Sequence, residues 1–525
     1  MKPLLPVGID LGTTFSAIAH IDHFGQPMVI PNGEGELTTP SVILFEDDRV
    51  VVGTAALQNA IAEPERVVEF VKREMGKGRA DFSRKFGDRE YSAEELSSLI
   101  LRKLKQDAEK RLGGTIEDAV VTVPAYFNDP ERTATIHAGE LAGLNVLQVL
   151  NEPTAAALAY GISRLTKDQT VFVFDLGGGT LDVTLMKVEK GGIRMLATNG
   201  DHRLGGKDWD DVLVNLVAEE FDKQHGANPL LDLRSYQELH TRAVAAKIQL
   251  SRRREVLLVH SHGGASVRRE VTRDEFEQRA ASLVERCRSL CEMVIGEAGL
   301  GWDAVDNILL VGGMTRMPMV REMIRTLGDR PIAEGVNPDE AVAQGAAIQA
   351  MLCRFDKEKK GGGPARARIA LPEAARTRFT GNDGALVEVR NITSHTLGLV
   401  LWDESRLESY VFPMIRKMTP YPVEVENAFG TAAPNLERVV VHIVEGESTV
   451  PEECTVLGTC EIELPPYLPK GAPVSLIYRY NENQVLEVVI RGFGKEAVAT
   501  VKRGTGMQDA DLVRARADLA LLKVD

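Results

Sequence analysis

The sequence is poor in cysteine, and its cysteines lack the spacing of a metal or redox site. Five occur among 525 residues, and no two of them form a C-x-x-C pair. The odd count does not fit a framework in which every cysteine is paired, and the missing motif argues against a zinc site. Cys287 and Cys291 lie four residues apart in a predicted helix, where they could share a face. Simple burial is the favoured interpretation for both.

Long apolar runs and basic stretches are also scarce. No run of 18 apolar residues occurs, so we expect no membrane-spanning helix, and the apolar part of "MKPLLPVGIDLG" is too short for a signal peptide. The net charge of −14 argues against nucleic-acid binding, which needs a basic face. The basic runs at 251–254 and 357–360 are predicted to be solvated faces. We therefore expect a cytoplasmic protein with neither a nucleic-acid nor a membrane partner.

Short apolar runs alternate with helical patterns up to about residue 355, which predicts an α/β architecture. Three of the runs are β-rich and apolar enough to be buried strands. They span residues 119–127, 170–177 and 307–313. Between them, the pattern of 92–113 predicts a helix with Ser92 and Glu95 as a capping box and Gly113 as its stop. The chain is also too long for a single core.

The composition changes after residue 355. Residues 356–385 are charged and rich in glycine and other small residues, which is typical of a linker. Short alternating runs from 386 to 505, separated by turns, predict an antiparallel β-sandwich. The predicted organisation is an α/β domain at 1–355, a polar linker or insertion at 356–385, a sandwich at 386–505 and a short helix at 506–525.

One motif occurs twice, 165 residues apart (175 − 10): a strand that ends in Asp-Leu-Gly, then threonine, then another strand. The copies are "VGIDLGTT" around Asp10 and "FVFDLGGGTLDV" around Asp175. The aspartate places a carboxylate at a sheet edge, and the glycines let backbone N–H groups approach a phosphate. Two facing copies would hold a triphosphate from both sides, with the aspartates on a hydrated Mg²⁺. Two glycine-rich β-turns in an enzyme of other chemistry are the alternative.

Three further stretches favour a nucleotide site. "NEPTAAALAYG" places Glu152 at a helix start, followed by small residues that allow close helix packing. "ILLVGGMTRMPMV" is a strand, a turn and a helix, in which Gly312 and Gly313 would leave room for adenine and ribose. "NPDEAVAQGAAIQA" begins a second small-residue helix, which is predicted to pack on the first.

These five elements, in this order, resemble the signature of the actin-like ATPases, in which a duplicated RNase H-like domain closes on ATP. Within that superfamily the sequence is similar to the 70-kilodalton heat-shock chaperones, the DnaK-like family. The motifs that carry the similarity are "GIDLGTT", "VPAYFND", "NEPTAAALAYG", "DLGGGTLDV", "LATNGDHRLGGKDWD" and "VGGMTRMPMV". "TLGLVLWDESRL", "VVVHIVEGES" and "VLEVVIRG" resemble the family's peptide-binding sandwich more loosely.

The resemblance implies slow ATP hydrolysis coupled to protein folding and the stress response. It implies ATP or ADP with Mg²⁺ as cofactors, and it also allows K⁺. The implied partners are unfolded or extended apolar peptides, a J-domain co-chaperone and a nucleotide exchange factor.

The resemblance also implies roles for individual residues. The catalytic positions are Lys72, Glu152, Asp175 and Asp182, and the metal positions are Asp10 and Asp175. The nucleotide positions are Asp10, Gly12, Thr13, Thr14, Gly177, Gly178, Gly179, Thr180, Gly205, Gly206, Lys247, Ser251, Gly312, Gly313, Arg316 and Asp339. The positions of an allosteric switch are Pro124 and Arg132. Such groups suit phosphoryl transfer, which depends on charge stabilisation and water positioning. The alternative for each is a scaffold role, and for Lys72 an exposed helix lysine.

Three features depart from the family pattern. Val244 stands where the family has a glutamate for the ribose, and a lost buried hydrogen bond costs about 1–3 kcal/mol, so we expect weaker nucleotide binding. Glu388 and Arg390 interrupt an otherwise apolar linker, so docking is expected to cost solvation and to weaken interdomain coupling. Only about 20 residues follow the sandwich, too few for the family's helical lid. An open groove would release peptide quickly.

Two functions from different classes follow. The favoured one is a chaperone whose nucleotide state tunes its affinity for apolar peptides. The other is a nucleotide-binding regulatory or scaffold protein, similar to an exchange factor, with weak ATPase activity and little coupling to peptide release. A sugar kinase on the same fold is disfavoured because the sandwich has no place in it.

Overall fold

The N-terminal region folds as two lobes, each built on one mixed sheet. The structure, a computed structural model, describes residues 2–3, 5–161, 168–189, 191–359, 372–380, 386–482, 484–500, 507 and 509–525. The first sheet has the strand order Asn145–Asn151, Asp118–Val123, Val7–Asp10, Phe15–Ile21 and Pro27–Val29, and Thr39–Pro40 also pairs with Phe15–Ile21. The second has the order Asn307–Val311, Gln169–Leu176, Leu181–Glu189, Gly192–Asp201 and Glu388–Arg390.

The two sheets repeat one topology, which explains why the acidic turn occurs twice. In each lobe the turn joins two antiparallel strands, and a later strand pairs in parallel with the first of them. These strands are Val7–Asp10, Phe15–Ile21 and Asp118–Val123 in the first lobe, and Gln169–Leu176, Leu181–Glu189 and Asn307–Val311 in the second. The predicted duplication of an α/β unit is confirmed.

Two helices of small residues, Glu152–Gly161 and Ala341–Lys359, pack against each other between the lobes. A Cβ at Gly345 would lie 1.7 Å from the carbonyl oxygen of Ala155, so only glycine permits this approach. One core cluster joins these helices to strands of both sheets. The predicted pairing of the two helices is confirmed, and it joins the two lobes that carry the acidic turns.

The other elements of this region surround the two sheets. The helices are Thr54–Asn59, Ala93–Leu112, Asp129–Leu141, Gly206–His225, Leu233–Leu250, Arg273–Arg279, Ala281–Glu297 and Pro318–Gly328. Short strands pair at Ile43–Phe45, Val50–Val52 and Val67–Val68, at Arg84–Phe86 and Arg89–Tyr91, at Glu255–His262 and Ala265–Thr272, and at Lys2–Pro3 and Gly114–Thr115. The helix Ala93–Leu112 begins at the predicted capping box and ends at Gly113, where φ is 71°. Cys287 and Cys291 are fully buried, as predicted.

The C-terminal region is a sandwich of two four-stranded antiparallel sheets. One has the order Glu408–Ile415, Leu397–Asp403, Arg438–Glu445 and Thr455–Glu463, and the other Val423–Gly430, Pro473–Tyr480, Leu486–Gly492 and Lys495–Thr500. Alternate side chains of both sheets form one apolar core. Within it, the hydroxyl of Tyr478 donates a hydrogen bond of 3.0 Å to the carbonyl oxygen of Gly398 on the facing sheet.

Part of the predicted linker is folded. The helix Glu373–Arg378 lies within it, and Ala375 and the adjoining Phe379 are fully buried against the first lobe and the central helices. Residues 360–371 and 381–385 of the predicted linker lie outside the described residues. The domain boundaries themselves remain predictions.

The charged strand Glu388–Arg390 docks without burying its charges. It pairs in parallel with Gly192–Arg194 at the edge of the second sheet. Side chains alternate along a strand, so Val387 and Val389 pack inward while Glu388 and Arg390 stay exposed and pair with each other at 2.8 Å. The expected loss of solvation was therefore wrong, because it treated the segment as one surface rather than two alternating ones.

The C-terminal segment packs on the first lobe. The helix Asp509–Ala520 buries Leu519 completely, and the carbonyl oxygen of Leu519 accepts a hydrogen bond of 2.6 Å from Arg102. Beyond the helix, the amides of Val50 and Val52 donate to the carbonyl oxygens of Lys523 and Asp525, both at 2.9 Å. Within the described ranges, no helix has both the length and the apolar character needed to cross a membrane.

Replacing Leu519 with Asp should release this segment, because a charge cannot replace a fully buried leucine whose burial stabilises by roughly 1.5–3 kcal/mol. Amide hydrogen exchange at Val50 and Val52 should accelerate by at least about tenfold. The matched control is Val513→Asp on the same helix, where the side chain is 72% exposed. Equal exchange rates in the two variants would contradict the observed docking.

Candidate functional site

The two acidic turns meet across the crevice between the lobes. A Cβ at Gly178 would lie 1.7 Å from the hydroxyl oxygen of Thr14, and one at Gly179 would lie 2.4 Å from that of Thr13. Thr13 and Thr14 belong to the first lobe and the glycines to the second. The structure therefore brings together the two motifs that the sequence predicts to face each other. Glycine at positions 178 and 179 allows this close approach, because any side chain there would clash with the threonines.

The second turn is braced from behind by the start of the helix Gly206–His225. The amide of Gly177 donates to the carbonyl oxygen of Thr180 at 3.0 Å, and the amide of Gly206 donates to that of Gly177 at 2.9 Å. A Cβ at Gly205 would lie 2.5 Å from the backbone of Gly179. Gly205 and Gly206 thus pack against the carbonyl groups of the second acidic turn and hold its backbone in place. In the first turn, the amide of Gly12 donates to the Ser16 hydroxyl at 3.2 Å.

Four carboxylates and one cation share the buried floor of the crevice. Asp10 ends its strand, and Asp175 pairs directly with Asp182 in the second sheet. Glu152 begins the central helix, and its carboxylate accepts a hydrogen bond from the ammonium group of Lys72, which is 4% exposed. Lys72 lies on the 3-10 turn Val71–Glu74, so its interpretation as an exposed helix lysine was wrong.

The fixed hydrogen bonds to these carboxylates are few. The Thr122 hydroxyl donates to Asp10 Oδ1 and the amide of Tyr126 donates to Asp182 Oδ1, both at 3.3 Å. In the described part of the chain, Asp182 Oδ2 is buried without a hydrogen-bond partner. This atom is therefore available to a ligand or to a proton.

Asp10, Asp175 and Asp182 lie in an environment that disfavours their charge. Burial, and then the Glu152 carboxylate, raise the pKa of Asp10 to about 7 and that of Asp182 to about 7. The same two causes raise the pKa of Asp175 well above its usual range. Burial alone would lower the pKa of Lys72, but Glu152 and Asp10 outweigh it and raise the pKa. One lysine cannot balance four carboxylates at this depth.

This donor set fits a divalent cation. The excess of negative charge and the unpartnered Asp182 Oδ2 are what a bound cation would relieve. No group of three His, Cys, Asp or Glu side chains with metal-binding geometry occurs among the described residues. A cation here would therefore be held by few carboxylates, such as Asp10 and Asp175, and by water and phosphate oxygens, which is how Mg²⁺ is commonly bound.

The predicted adenosine side is formed by the helix Leu233–Leu250. Lys247 donates to the carbonyl oxygen of Gly206 at 2.8 Å and pairs with Asp210 at 2.9 Å. Burial raises the pKa of Asp210 to about 6, against the opposite effect of Lys247. The Ser251 hydroxyl donates to the carbonyl oxygen of Lys247 at 3.3 Å, and Val244, half-buried, lies one turn before Lys247.

The two glycines after the strand Asn307–Val311 have different roles. Gly313 has open space where a Cβ would be, which agrees with the predicted room for a ligand. Gly312 has φ of 81°, and its Cβ would lie 2.3 Å from the carbonyl oxygen of Leu176. The interpretation of Gly312 as open space was wrong, because that space is filled by the strand that carries Asp175. Arg316 binds Asp339 with both of its terminal nitrogens, at 3.1 and 2.7 Å.

The predicted switch lies between the crevice and the sandwich. Pro124 is buried after the strand Asp118–Val123. Arg132, also buried, donates to the carbonyl oxygens of Ala125 and Phe127, both at 2.9 Å. One of these, the peptide group between Ala125 and Tyr126, approaches Asp182 through its amide and the sandwich through its carbonyl oxygen.

The sandwich contacts this segment directly. The Ser394 hydroxyl donates to the carbonyl oxygen of Ala125, and His395 Nε2 lies 3.1 Å from that of Tyr126. A continuous path of contacts therefore runs from Asp182 through residues 125–126 to the start of the sandwich. The sequence analysis missed Ser394 and His395, because only the fold brings them beside the switch.

Arg73 was also missed. Its guanidinium donates to the carbonyl oxygen of Gly179 through Nε at 3.0 Å and Nη2 at 2.6 Å, and Nη2 lies 2.6 Å from Asp208. It thereby joins the first lobe to the second turn. Its position directly after Lys72 was the signal available in the sequence.

Comparison with known proteins agrees with this geometry. A family profile described as Hsp70 protein matches residues 6–86 and 77–361, more than half of the chain. The chain is 39% identical over 520 residues to the chaperone protein DnaK of Thermotoga neapolitana, covering 97% of this chain and 82% of the relative. It is 37% identical over 517 residues to DnaK of Thermosipho melanesiensis, covering 96% and 81%. For DnaK of Thermotoga maritima the identity is 39% over 502 residues, covering 93% and 79%.

The match to the family covers both regions of the chain. DnaK-like chaperones hydrolyse ATP, bind adenine nucleotide with a divalent metal and bind unfolded polypeptides. The predicted actin-like ATPase domain followed by a β-sandwich is confirmed. The chain belongs to the Hsp70 family and is a DnaK-like, ATP-hydrolysing chaperone.

Proposed function

We propose that the crevice binds Mg²⁺·ATP with its triphosphate between the two acidic turns. The observation that carries this proposal is the contact of Thr13 and Thr14 with Gly179 and Gly178 across the lobes. In this arrangement the threonine hydroxyls, with that of Thr180, and the amides of Gly178 and Gly179 donate to phosphate oxygens. The amide of Gly177 already donates to the carbonyl oxygen of Thr180, so its predicted bond to phosphate is not part of this proposal. Asp10 and Asp175 hold Mg²⁺, which when bound neutralises charge on the phosphates. A role for K⁺ remains a prediction.

Hydrolysis in this proposal depends on the buried charges. Lys72 supplies positive charge beside the γ-phosphate, and Glu152 fixes the position of its ammonium group through their ion pair. Asp182 orients the attacking water. Its Oδ2, which lacks a partner and belongs to a carboxyl with a pKa of about 7, can accept the proton of that water.

Peptide binding is proposed at the end of the sandwich away from the lobes. Ser394 and His395 precede the strand Leu397–Asp403, so the other end of that strand lies roughly 20 Å further along it. There Trp402 is 54% exposed and Leu407 is 74% exposed, an apolar surface that suits an extended apolar segment. The open groove, the J-domain co-chaperone and the exchange factor remain predictions.

The contacts of residues 125–126 are proposed to couple the two sites. A movement of Asp182 on hydrolysis would shift the amide of Tyr126, to which it is hydrogen-bonded. The carbonyl oxygens of Ala125 and Tyr126 would then move relative to Ser394 and His395. Arg132 donates to the carbonyl oxygens of Ala125 and Phe127, on either side of Tyr126, and so braces the segment through which the change would reach the sandwich.

Replacing Lys72 with Ala should lower the rate of ATP cleavage in a single turnover by at least about a hundredfold, because a charge aimed at the transition state is lost. Acid-quenched samples measure the cleavage, and calorimetric titration checks that the variant still binds ATP. Lys77→Ala is the control, since Lys77 is partly exposed and pairs with Glu74 on the same segment. A cleavage rate within threefold of that of the unmodified protein would contradict the proposed catalytic role of Lys72.

Replacing Val244 with Glu should tighten ADP and ATP binding by about tenfold, since it restores an acceptor worth about 1–3 kcal/mol. Calorimetric titration provides the measurement. Ala245→Glu is the control, because its side chain is exposed on the neighbouring position. An unmodified protein with sub-micromolar affinity for both nucleotides, or two variants of equal affinity, would show that Val244 does not limit binding.

Replacing both Ser394 and His395 with Ala should uncouple the sandwich from the crevice. The acceleration of apolar-peptide release by ATP should fall by about thirtyfold, as measured with a fluorescent peptide, because two contacts worth about 1 kcal/mol each are lost. Ser475→Ala is the control, because Ser475 bonds Glu426 within the sandwich. Full acceleration by ATP in the double variant would exclude this path.

A further inference from the structure

A second cavity lies beside the proposed triphosphate turn. It has a volume of about 260 Å³ and is lined from both lobes, with Arg73 and Arg84 from the first and Arg203 and Lys207 from the second among its lining residues. At about 30 Å³ per water molecule, the volume holds a small anion together with part of its hydration shell. None of these four residues has a role in the proposed binding or cleavage of ATP.

Arg73 stands between this cavity and the triphosphate turn. The carbonyl oxygen of Gly179 accepts both of its hydrogen bonds, while the Cα of the same glycine packs against Thr13. The Arg73 side chain is only 12% exposed. A group leaving the γ-phosphate position toward the cavity must therefore pass the contact between Arg73 and Gly179.

The cavity carries an excess of positive charge. Arg73 pairs with Asp208 at 2.6 Å and Lys207 with Asp211 at 2.6 Å, so these two cations are balanced. Arg84 and Arg203 have no acidic partner among the residues that the structure describes, and both are exposed.

The acidic residues of the lining do not cancel this excess. Glu74 is already paired with Lys77 at 2.5 Å. Glu69 accepts a hydrogen bond of 2.7 Å from Gln237, and burial raises the pKa of its carboxyl. Even when ionised, this one carboxylate offsets only one of the two guanidinium groups. The Arg84 guanidinium lies 5.5 Å from the ring centre of Phe82, which also lines the cavity. Two guanidinium groups without an acidic partner in the described part of the chain are suited to a small dianion.

We propose that this cavity is a transit site for inorganic phosphate as it leaves the crevice, with Arg73 as the group that separates it from the triphosphate turn. Hydrolysis supplies the ligand, because water attacks the γ-phosphorus, the bond to the β-phosphate oxygen breaks, and inorganic phosphate and ADP are formed. The proposal rests on the proposed position of the triphosphate. It assigns Arg84 and Arg203 a role in product release rather than in cleavage.

The test reverses the two free charges together, as Arg84→Glu with Arg203→Glu in the full chain. Phosphate release, followed by stopped flow with a fluorescent phosphate reporter, should slow by about tenfold relative to cleavage in acid-quenched samples. Equilibrium dialysis of radiolabelled inorganic phosphate against the ADP-loaded protein should show about tenfold weaker binding. The difference from the unmodified protein should shrink at high salt, because exposed charges are screened.

The binding measurement needs no hydrolysis, so a failure of the proposed cleavage site cannot hide its result. Arg268→Glu is the control, because that arginine is exposed on the strand Ala265–Thr272, away from the cavity. Unchanged phosphate binding and release in the double variant would overturn the proposal. A parallel loss of ADP affinity would also overturn it, since the cavity would then be part of the nucleotide site.

Discussion

Negative charge is concentrated where the two acidic turns meet, at the floor of the crevice between the lobes. The packing of the lobes and the attachment of the sandwich both depend on this site. Asp10, Asp175, Asp182 and Glu152 are brought together below a contact of threonine with glycine, and Lys72 is buried beside them. Such a group is costly in the absence of a ligand, because burial and mutual repulsion both favour protonation. A metal with a polyanionic nucleotide changes this balance. Ligand binding and closure of the lobes are therefore expected to be the same event.

The position of each element follows from that constraint. The close helix crossing at Gly345 fixes the lobes at their base, and Arg73 joins them nearer the turns. The peptide groups of residues 125–126 connect Asp182 to the sandwich. The strand Glu388–Arg390 and the segment around Leu519 hold the C-terminal region at two separate places. The C-terminal region is thus attached to both lobes, so a relative movement of the lobes would change its contacts with them.

Local signals in the sequence were sufficient for much of the fold. The repeated Asp-Leu-Gly turn predicted two lobes, and the capping box and Gly113 located a helix at both ends. The charged linker was misjudged because a count of charges ignores the alternation of a strand, which keeps Glu388 and Arg390 in solvent. Gly312 was misjudged because its neighbour, the backbone of Leu176, comes from another strand. Arg73, Ser394 and His395 act across the fold, on carbonyl groups that the sequence cannot place near them.

A crystal structure with Mg²⁺ and a non-hydrolysable ATP analogue would test directly whether both acidic turns bind the same triphosphate. The expected result is one metal ion bound through Asp10 and Asp175, directly or through its waters, with the γ-phosphate between Thr13 and Thr180. A nucleotide attached to one lobe alone, with the threonines of the first turn more than a hydrogen-bond length from any phosphate oxygen, would contradict this arrangement.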